Sequence, residues 1–108
     1  MTLVELKKIL EATGYPVAYS HFTATETNPL PKTPYLCYLV AYSSNFIADD
    51  EVYQEIDNVQ VELYTSKKDL NAEENIRSVF KSNKIPYQTT ETFIESEQLF
   101  QKIYEIKI

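Results

Sequence analysis

The sequence predicts an α+β domain, a mostly antiparallel sheet of about five strands with two helices in the order α-β-β-β-α-β-β. Two segments place apolar residues at helical spacing behind a capping residue, and several short segments rich in Tyr and Val alternate as strands do. The predicted strands follow one another rather than alternating with helices, which argues against a doubly wound parallel sheet. No repeat or change of composition divides the 108 residues, so we expect a single domain over residues 1–108.

The first helix is predicted at the start of the sequence. Thr2 is a suitable N-cap residue, and Glu5, three residues later, completes a capping box. The apolar residues between Leu3 and Leu10 recur at helical spacing and share one face. Gly14, the single glycine, favours the left-handed conformation that ends helices, so we expect the helix to stop there.

Three strands are predicted in the middle of the sequence. Val17–Phe22 is a short strand-like segment, and Tyr35–Tyr42 is apolar on both alternating faces, as in a central strand covered on both sides. Val59–Tyr64 alternates between apolar and polar residues, which predicts a strand with one solvent-facing side. We expect the last two strands to pair antiparallel, with a polar, acidic turn at Ser43–Glu51.

A second helix and a closing hairpin are predicted after this pair. Asp69 is a suitable N-cap residue, and acidic residues follow it in the first turn, where the helix dipole favours them. Asn83 is suited to end this helix. Two strands are then expected near Tyr87–Ile94 and Leu99–Ile108, joined by a turn that involves Glu95–Glu97.

One long loop is predicted between the first two strands. Residues 23–34 carry three of the five prolines, which supply no amide donor and keep the chain extended and irregular. Loops of this length in small domains often bind partners or take part in assembly, and this one could order only on assembly. A plain connector explains the composition equally well, so both interpretations stay open.

Charge and cysteine content exclude several classes of protein. Sixteen acidic and ten basic residues give a net charge of −6, too little positive charge for a broad nucleic-acid-binding patch. No apolar stretch approaches the length of a membrane span. Cys37 is the single cysteine and lies in an apolar run, so we expect a buried thiol in a reducing cytoplasm, with no intrachain disulfide.

The sequence contains no recognisable catalytic, cofactor or metal site. His21 has no nearby carboxylate, serine or cysteine at a spacing that indicates catalysis, and a single glycine cannot build a phosphate-binding loop. The acidic cluster Asp49–Glu51 lacks the alternating spacing and central glycine of a calcium loop, so a solvated turn is the better interpretation. We therefore expect neither an enzyme nor a bound cofactor or metal ion.

The abundance of tyrosine is the most unusual feature of the composition. Tyr suits the pleated surface of a sheet, and it is also enriched where a surface is buried by another chain. Sheet packing and a subunit interface both remain open, and we favour the interface. Five side chains in or beside loops or on polar strand faces are predicted to contact a partner: Phe22, Leu30, Phe46, Tyr64 and Tyr87.

Five stretches resemble a family of short proteins in phages and prophages of Gram-positive bacteria, and the similarity runs over nearly the whole sequence. They are Thr13–Tyr19 (TGYPVAY), Pro34–Tyr38 (PYLCY), Asn45–Asp50 (NFIADD), Val61–Asp69 (VELYTSKKD) and Ile94–Glu97 (IESE). Proteins of this family look like neck components of tailed phages, of the tail-terminator or tail-to-head joining type.

The resemblance implies an α+β subunit without enzymatic activity that forms a ring with its own copies, commonly a hexamer. Such a ring caps the finished tail tube, where it contacts the tail-tube protein, and docks on the head-connector protein. The implied location is the neck of the virion, and the host cytoplasm during assembly. A head-side connector or completion protein of the same neck is the nearest alternative.

Two further alternatives belong to other classes of protein. An acidic inhibitor that mimics DNA needs a continuous acidic stripe, whereas lysines such as Lys81, Lys84 and Lys102 are interspersed here. A small carboxylate enzyme would need Asp49, Asp50 or a C-terminal glutamate to line a cleft with perturbed pKa values. We rank both below a neck protein.

Overall fold

A computed structural model of the chain describes residues 1–27, 29–48 and 51–108, and for residues 46–48 and 52–54 it describes the backbone. Both predicted helices and all the predicted strands are present, with bounds within a few residues of those expected. The described elements are α1 (Leu3–Glu11), β1 (Val17–Tyr19), β2 (Tyr35–Ser43), β3 (Phe46–Ala48), β4 (Glu51–Gln54), β5 (Asp57–Thr65), α2 (Leu70–Ser82), β6 (Gln88–Ile94) and β7 (Leu99–Lys107).

The main sheet has five strands in the order β1-β2-β5-β7-β6. β1 runs parallel to β2, and the other neighbouring strands are antiparallel, so the predicted α+β class with a mostly antiparallel sheet is confirmed. The antiparallel pairing of β2 with β5 is also confirmed, with Tyr35 opposite Tyr64. β1 stops before the predicted end at Phe22 because Ser20 has a φ of 67°, which no strand residue adopts.

The turn predicted at Ser43–Glu51 is wrong, because β3 and β4 form an antiparallel hairpin beyond the ends of β2 and β5. Both short strands are rich in aromatic and β-branched residues, which favour strand pairing over a solvated turn. Asp49 and Asp50, which were assigned to that turn, lie outside the described residues.

Both helices begin at the capping residues that the sequence indicates, and α2 also ends at the predicted residue, whereas the C-cap of α1 is Ala12. The Thr2 hydroxyl accepts a hydrogen bond from the Glu5 amide at 3.1 Å, and the Asp69 carboxylate accepts one from the Ala72 amide at 3.0 Å. Asn83 is the C-cap of α2. α1 ends at Glu11, and Gly14 follows with a φ of 87°, so the chain turns away where a left-handed residue was predicted.

The hydrophobic core lies between the two helices and one face of the sheet. Leu6 and Leu10 of α1 and Ile76 and Phe80 of α2 are completely buried against it. The sheet contributes Leu36, Tyr38, Val59, Val61, Leu63, Tyr104 and Ile106 to this core. Because side chains alternate along a strand, the remaining residues of the same strands point to the opposite face.

One charged cluster joins α2 to the sheet on this covered face. Glu73 is only 5% exposed, with its carboxylate 2.7 Å from the ammonium of Lys102 and 2.9 Å from that of Lys68. Lys68 also lies 2.9 Å from the carboxylate of Glu91 on β6. Burial alone would raise the pKa of Glu73, but the hydrogen bonds from Lys102 and Lys68 hold this pKa below its usual range.

Two predictions about the strand faces need correction. β2 lies inside the sheet, but the central strand is β5, and the helices cover only the β2 face that carries Leu36 and Tyr38. The face of β5 that was predicted to be wet carries Glu62, which is only 8% exposed. Neighbouring long side chains on the same face, rather than a helix, keep water from this carboxylate.

Candidate functional site

The face of the sheet turned away from both helices is the candidate functional site, and we call it the open face. Its side chains are a mixture of aromatic, aliphatic and polar groups, most of them buried or half-buried. By strand alternation and register, it includes Tyr35, Cys37, Leu39, Gln60, Glu62, Tyr64, Thr90, Thr92, Ile94, Leu99, Gln101 and Ile103.

One end of the open face is aromatic. The rings of Tyr35 and Tyr64 stack with their centres 5.1 Å apart, and Phe22 packs edge-on against Tyr35 at 5.3 Å. These rings, together with Leu30 and Leu99, line an open cavity of about 440 Å³. Leu30 is 51% exposed at its rim, so the segment after β1 covers this end of the sheet only in part.

A buried carboxylate lies towards the middle of the open face. The side-chain amide of Gln101 donates hydrogen bonds to Glu62, at 2.8 Å, and to the Tyr64 hydroxyl oxygen, at 2.9 Å. Burial raises the pKa of Glu62, and its hydrogen bond with Tyr64 offsets this only in part. No cation forms an ion pair with Glu62 in the part of the chain that the structure describes.

Cys37 lies directly opposite Glu62 in the β2–β5 pair and is 3% exposed. Burial, and then the nearby Glu62 carboxylate, raises the pKa of the thiol to about 11. A thiol with such a pKa is almost entirely protonated at neutral pH, and the thiolate is the nucleophilic form. The expectation of a buried cysteine is confirmed, and its chemistry is that of a packing residue.

The structure brings three of the five predicted contact residues together. Phe22, Leu30 and Tyr64 all line the cavity on the open face. Tyr87 lies elsewhere, on the covered side, where its ring packs 5.4 Å from Phe80 and 5.5 Å from Tyr104. The side chain of Phe46 lies outside what the structure describes, so its predicted contact stays a prediction.

The hairpin of β3 and β4 is a second candidate surface, and we call residues 44–56 the arm. Its base is fixed by polar contacts: the Ser44 amide donates to the Ile56 carbonyl at 2.9 Å, and the Ile56 amide donates to the Asn45 side chain at 3.2 Å. Asn58 donates to the Ser44 hydroxyl at 2.8 Å. The molecule measures 50 × 31 × 25 Å. β3 and β4 pair only with each other among the described strands.

His21 lines the cavity at the aromatic end of the open face. His21 is exposed, and its Nδ1 lies 3.1 Å from the Ser20 hydroxyl. Within residues 1–27, 29–48 and 51–108, no three His, Cys, Asp or Glu side chains are grouped so that they could hold a metal ion. Likewise, none of the described helices has the length and apolar character needed to cross a bilayer.

Two features of these surfaces were not predicted from the sequence: the burial of Glu62 and the hairpin that forms the arm. Glu62 occupies a polar position in an alternating strand, and such a position is usually wet. The signal for its burial lies in its neighbours, since Tyr64 is next on the same face and two apolar residues, Cys37 and Ile103, stand opposite Glu62 on the two neighbouring strands. For the arm, the signal was an aromatic and a β-branched residue on each side of the acidic residues, Phe46 and Ile47 before them and Val52 and Tyr53 after them.

No model of a known protein family matches the sequence, and no curated protein matches it.

Proposed function

We propose that this chain is a structural subunit of the neck of a tailed phage or prophage, of the tail-terminator type, and has no enzymatic activity. Copies of the chain form a ring, with six subunits as the expected number. The ring caps the tail tube, where it contacts the tail-tube protein, and joins it to the head-connector protein. The subunit is present in the host cytoplasm during assembly and then in the virion neck.

The observation that supports this proposal most directly is the open face. A sheet buries its two faces against other layers, and here both helices pack on the same face. The open face retains Leu39, Ile103 and the aromatic cavity beside Tyr35 and Tyr64, none of which lies under a helix. An uncovered mixed surface of this kind is typical of a subunit whose second layer is another protein.

The charge of the chain fits a ring through which DNA passes. The net charge is −6, and basic walls would hold a duplex in transit by binding its phosphates. A small domain also leaves much of its surface exposed, so a closed assembly of copies adds burial that the monomer lacks. The negative net charge and the small size of the domain are therefore consistent with the proposed ring.

Deleting the gene from its prophage and examining the particles by negative-stain electron microscopy tests this function. We expect full heads beside unjoined tails, with tails of uncontrolled length, because nothing then ends the polymerisation of the tube. Complementation with the wild-type gene should restore joined particles of normal tail length.

Two other outcomes would overturn the terminator role. Empty or leaking heads beside tails of normal length would assign the chain to the head side of the neck. Normal infectious particles would exclude the neck altogether and favour an acidic inhibitor of a nucleic-acid-binding protein, which pull-down against DNA-binding host proteins would then examine.

A further inference from the structure

The charges of this chain are strongly segregated along the sequence. Residues 43–57, which include the arm, contain five acidic residues and no basic one: Asp49, Asp50, Glu51, Glu55 and Asp57. Residues 77–84, at the end of α2, contain three basic residues and no acidic one: Arg77, Lys81 and Lys84. Surfaces of opposite sign within one chain are complementary between copies of that chain.

The basic surface borders a cleft between α2 and the start of β6. This cleft has a volume of about 530 Å³ and is lined by Glu74, Arg77, Ser78, Lys81, Ile85 and Tyr87. Ile85 and Tyr87 supply apolar walls, and Tyr87 is held in place by its ring contacts with Phe80 and Tyr104. The cleft is therefore a formed feature of the covered side.

The charges at the cleft and on the arm are available to a partner. Arg77 is half-exposed and pairs with Glu74, which is itself 63% exposed, and an exposed pair of this kind exchanges partners at little cost. Lys81 is exposed and has no ion pair with the described residues, and the same holds for Glu51 and Glu55 on the arm.

The arm and the cleft also lie at the same end of the molecule. Tyr42 and Asn58, beside the base of the arm, share a cavity with Pro86, Tyr87 and Gln88 at the start of β6. Neighbours in a closed ring are related by rotation without translation along the axis, so surfaces that meet in a ring must stand at the same level.

From these observations we infer that the acidic arm of one copy docks in the basic cleft between α2 and β6 of the next copy. The contact joins two different surfaces, which is the kind of interface that closes a ring. This inference rests on the proposed function, since it states how the subunits of the proposed ring are joined. The occupant is a second copy of this chain, held by Glu51 and Glu55 against Arg77 and Lys81.

A charge-swap experiment on the purified full-length chain tests the inference. The cleft variant carries Arg77→Glu and Lys81→Glu, and the arm variant carries Glu51→Lys and Glu55→Lys. Sedimentation equilibrium at low ionic strength, up to roughly millimolar protein, measures the mass of each. We expect the wild type to assemble, and each variant to dissociate with a constant roughly tenfold larger or more, because attraction becomes repulsion.

Mixing the two variants is the decisive measurement. The cleft variant keeps its acidic arm, which can dock in the unchanged basic cleft of the arm variant. The arm variant has a basic arm, which can dock in the acidic cleft of the cleft variant. We therefore expect the mixture to recover the wild-type mass, with the two variants alternating in rings of even subunit number. Native mass spectrometry should count equal numbers of each.

A control variant separates this contact from a general effect of charge. Lys7→Glu with Lys8→Glu on the exposed side of α1 changes the net charge by the same amount as the cleft variant, and it should assemble like the wild type. Circular dichroism should show that all variants fold, because the substituted side chains are exposed.

Three results would overturn the inference: a wild type that stays monomeric at every concentration, variants that assemble like the wild type, or a mixture that does not recover. If only the cleft variant failed to assemble, a segment other than the arm would be the one that docks in the cleft. These results are independent of the gene deletion. If the deletion leaves heads and tails unjoined but the mixture stays monomeric, only the proposed contact is wrong. If the mixture assembles but the deletion leaves normal particles, only the proposed function is wrong.

Discussion

Each face of the sheet buries one glutamate, and the two environments shift the pKa of the carboxyl group in opposite directions. Glu73 stands on the covered side at 5% exposure, paired with two lysines that outweigh the effect of burial and lower its pKa. Glu62 stands on the open face at 8% exposure, where Gln101 and Tyr64 are neutral partners and burial raises its pKa.

The difference shows on which side of the sheet the chain itself supplies the partners that a buried charge needs. On the covered side, the chain supplies the apolar layer and the counter-charges that a buried carboxylate requires. On the open face, the carboxylate loses water without gaining a cation from the described residues, which leaves it less stable in its charged form. The covered side therefore holds the fold together, and the open face receives no covering layer from the two helices.

Truncating the core should have the largest effect on this comparison. Phe80 is fully buried between the helices and the sheet, so Phe80→Ala should lower the free energy of unfolding by about 3–5 kcal/mol. Leu39→Ala on the open face removes a half-buried side chain and should cost only about 1 kcal/mol. Urea unfolding followed by circular dichroism measures both, and equal losses would contradict the assignment of the core to one face.

Neutralising the paired glutamate should have the next largest effect. Glu73→Gln removes the charge that both lysines contact, and it should lower the free energy of unfolding at neutral pH by about 1–2 kcal/mol. Because the folded pKa is lowered, this contribution is present above the unfolded pKa and is lost as pH falls through the folded pKa. Unfolding curves from neutral to acidic pH should therefore converge for wild type and variant.

The same substitution on the open face should change stability in the opposite direction. Glu62→Gln keeps an acceptor for Gln101 and removes a buried charge, so it should raise the free energy of unfolding at neutral pH by about 1 kcal/mol. A raised pKa means that the folded state holds its proton more tightly than the unfolded state does. The gain should therefore shrink as pH falls through the folded pKa to the unfolded one. A destabilised Glu62→Gln variant at neutral pH would contradict this account.

The smallest effect is expected at the rim of the charged cluster. The Lys68 side chain is 44% exposed and that of Lys102 is 20% exposed, although both contact Glu73. Lys68→Met should change the free energy of unfolding by about 0.5 kcal/mol or less, and the change should fall with added salt. Lys102→Met should cost more and respond less to salt. A reversed order would mean that Lys68 is the main partner of Glu73.

The fold was largely predictable because its local signals agree with one another. Thr2, Asp69 and Asn83 act at the helix ends as their side-chain chemistry requires, and alternation along β5 places Val59 and Val61 in the core. Such signals depend on neighbours in sequence, so they can be read from one chain.

The candidate site was predictable only in part because it depends on contacts across strands. Phe22, Leu30 and Tyr64 were named from the sequence as contact residues, and that role stays a prediction. Their meeting in one cavity was not predicted, because Phe22 and Leu30 lie between β1 and β2 whereas Tyr64 lies on β5. The burial of Glu62 follows from neighbours on two other strands. Tyr87 was assigned to a wet face because its nearest packing partner, Phe80, is on a different element.

The burial of Cys37 allows its thiol to be used as a probe of local opening in this chain. It is the only thiol in the sequence, it is 3% exposed, and burial holds it in its protonated form at neutral pH. A chromogenic disulfide reagent should therefore react at a rate set by how often the side chains that cover this end of the open face move aside. Labelling kinetics would time that opening in unmodified protein, and a partner that closes over the open face would slow the colour change.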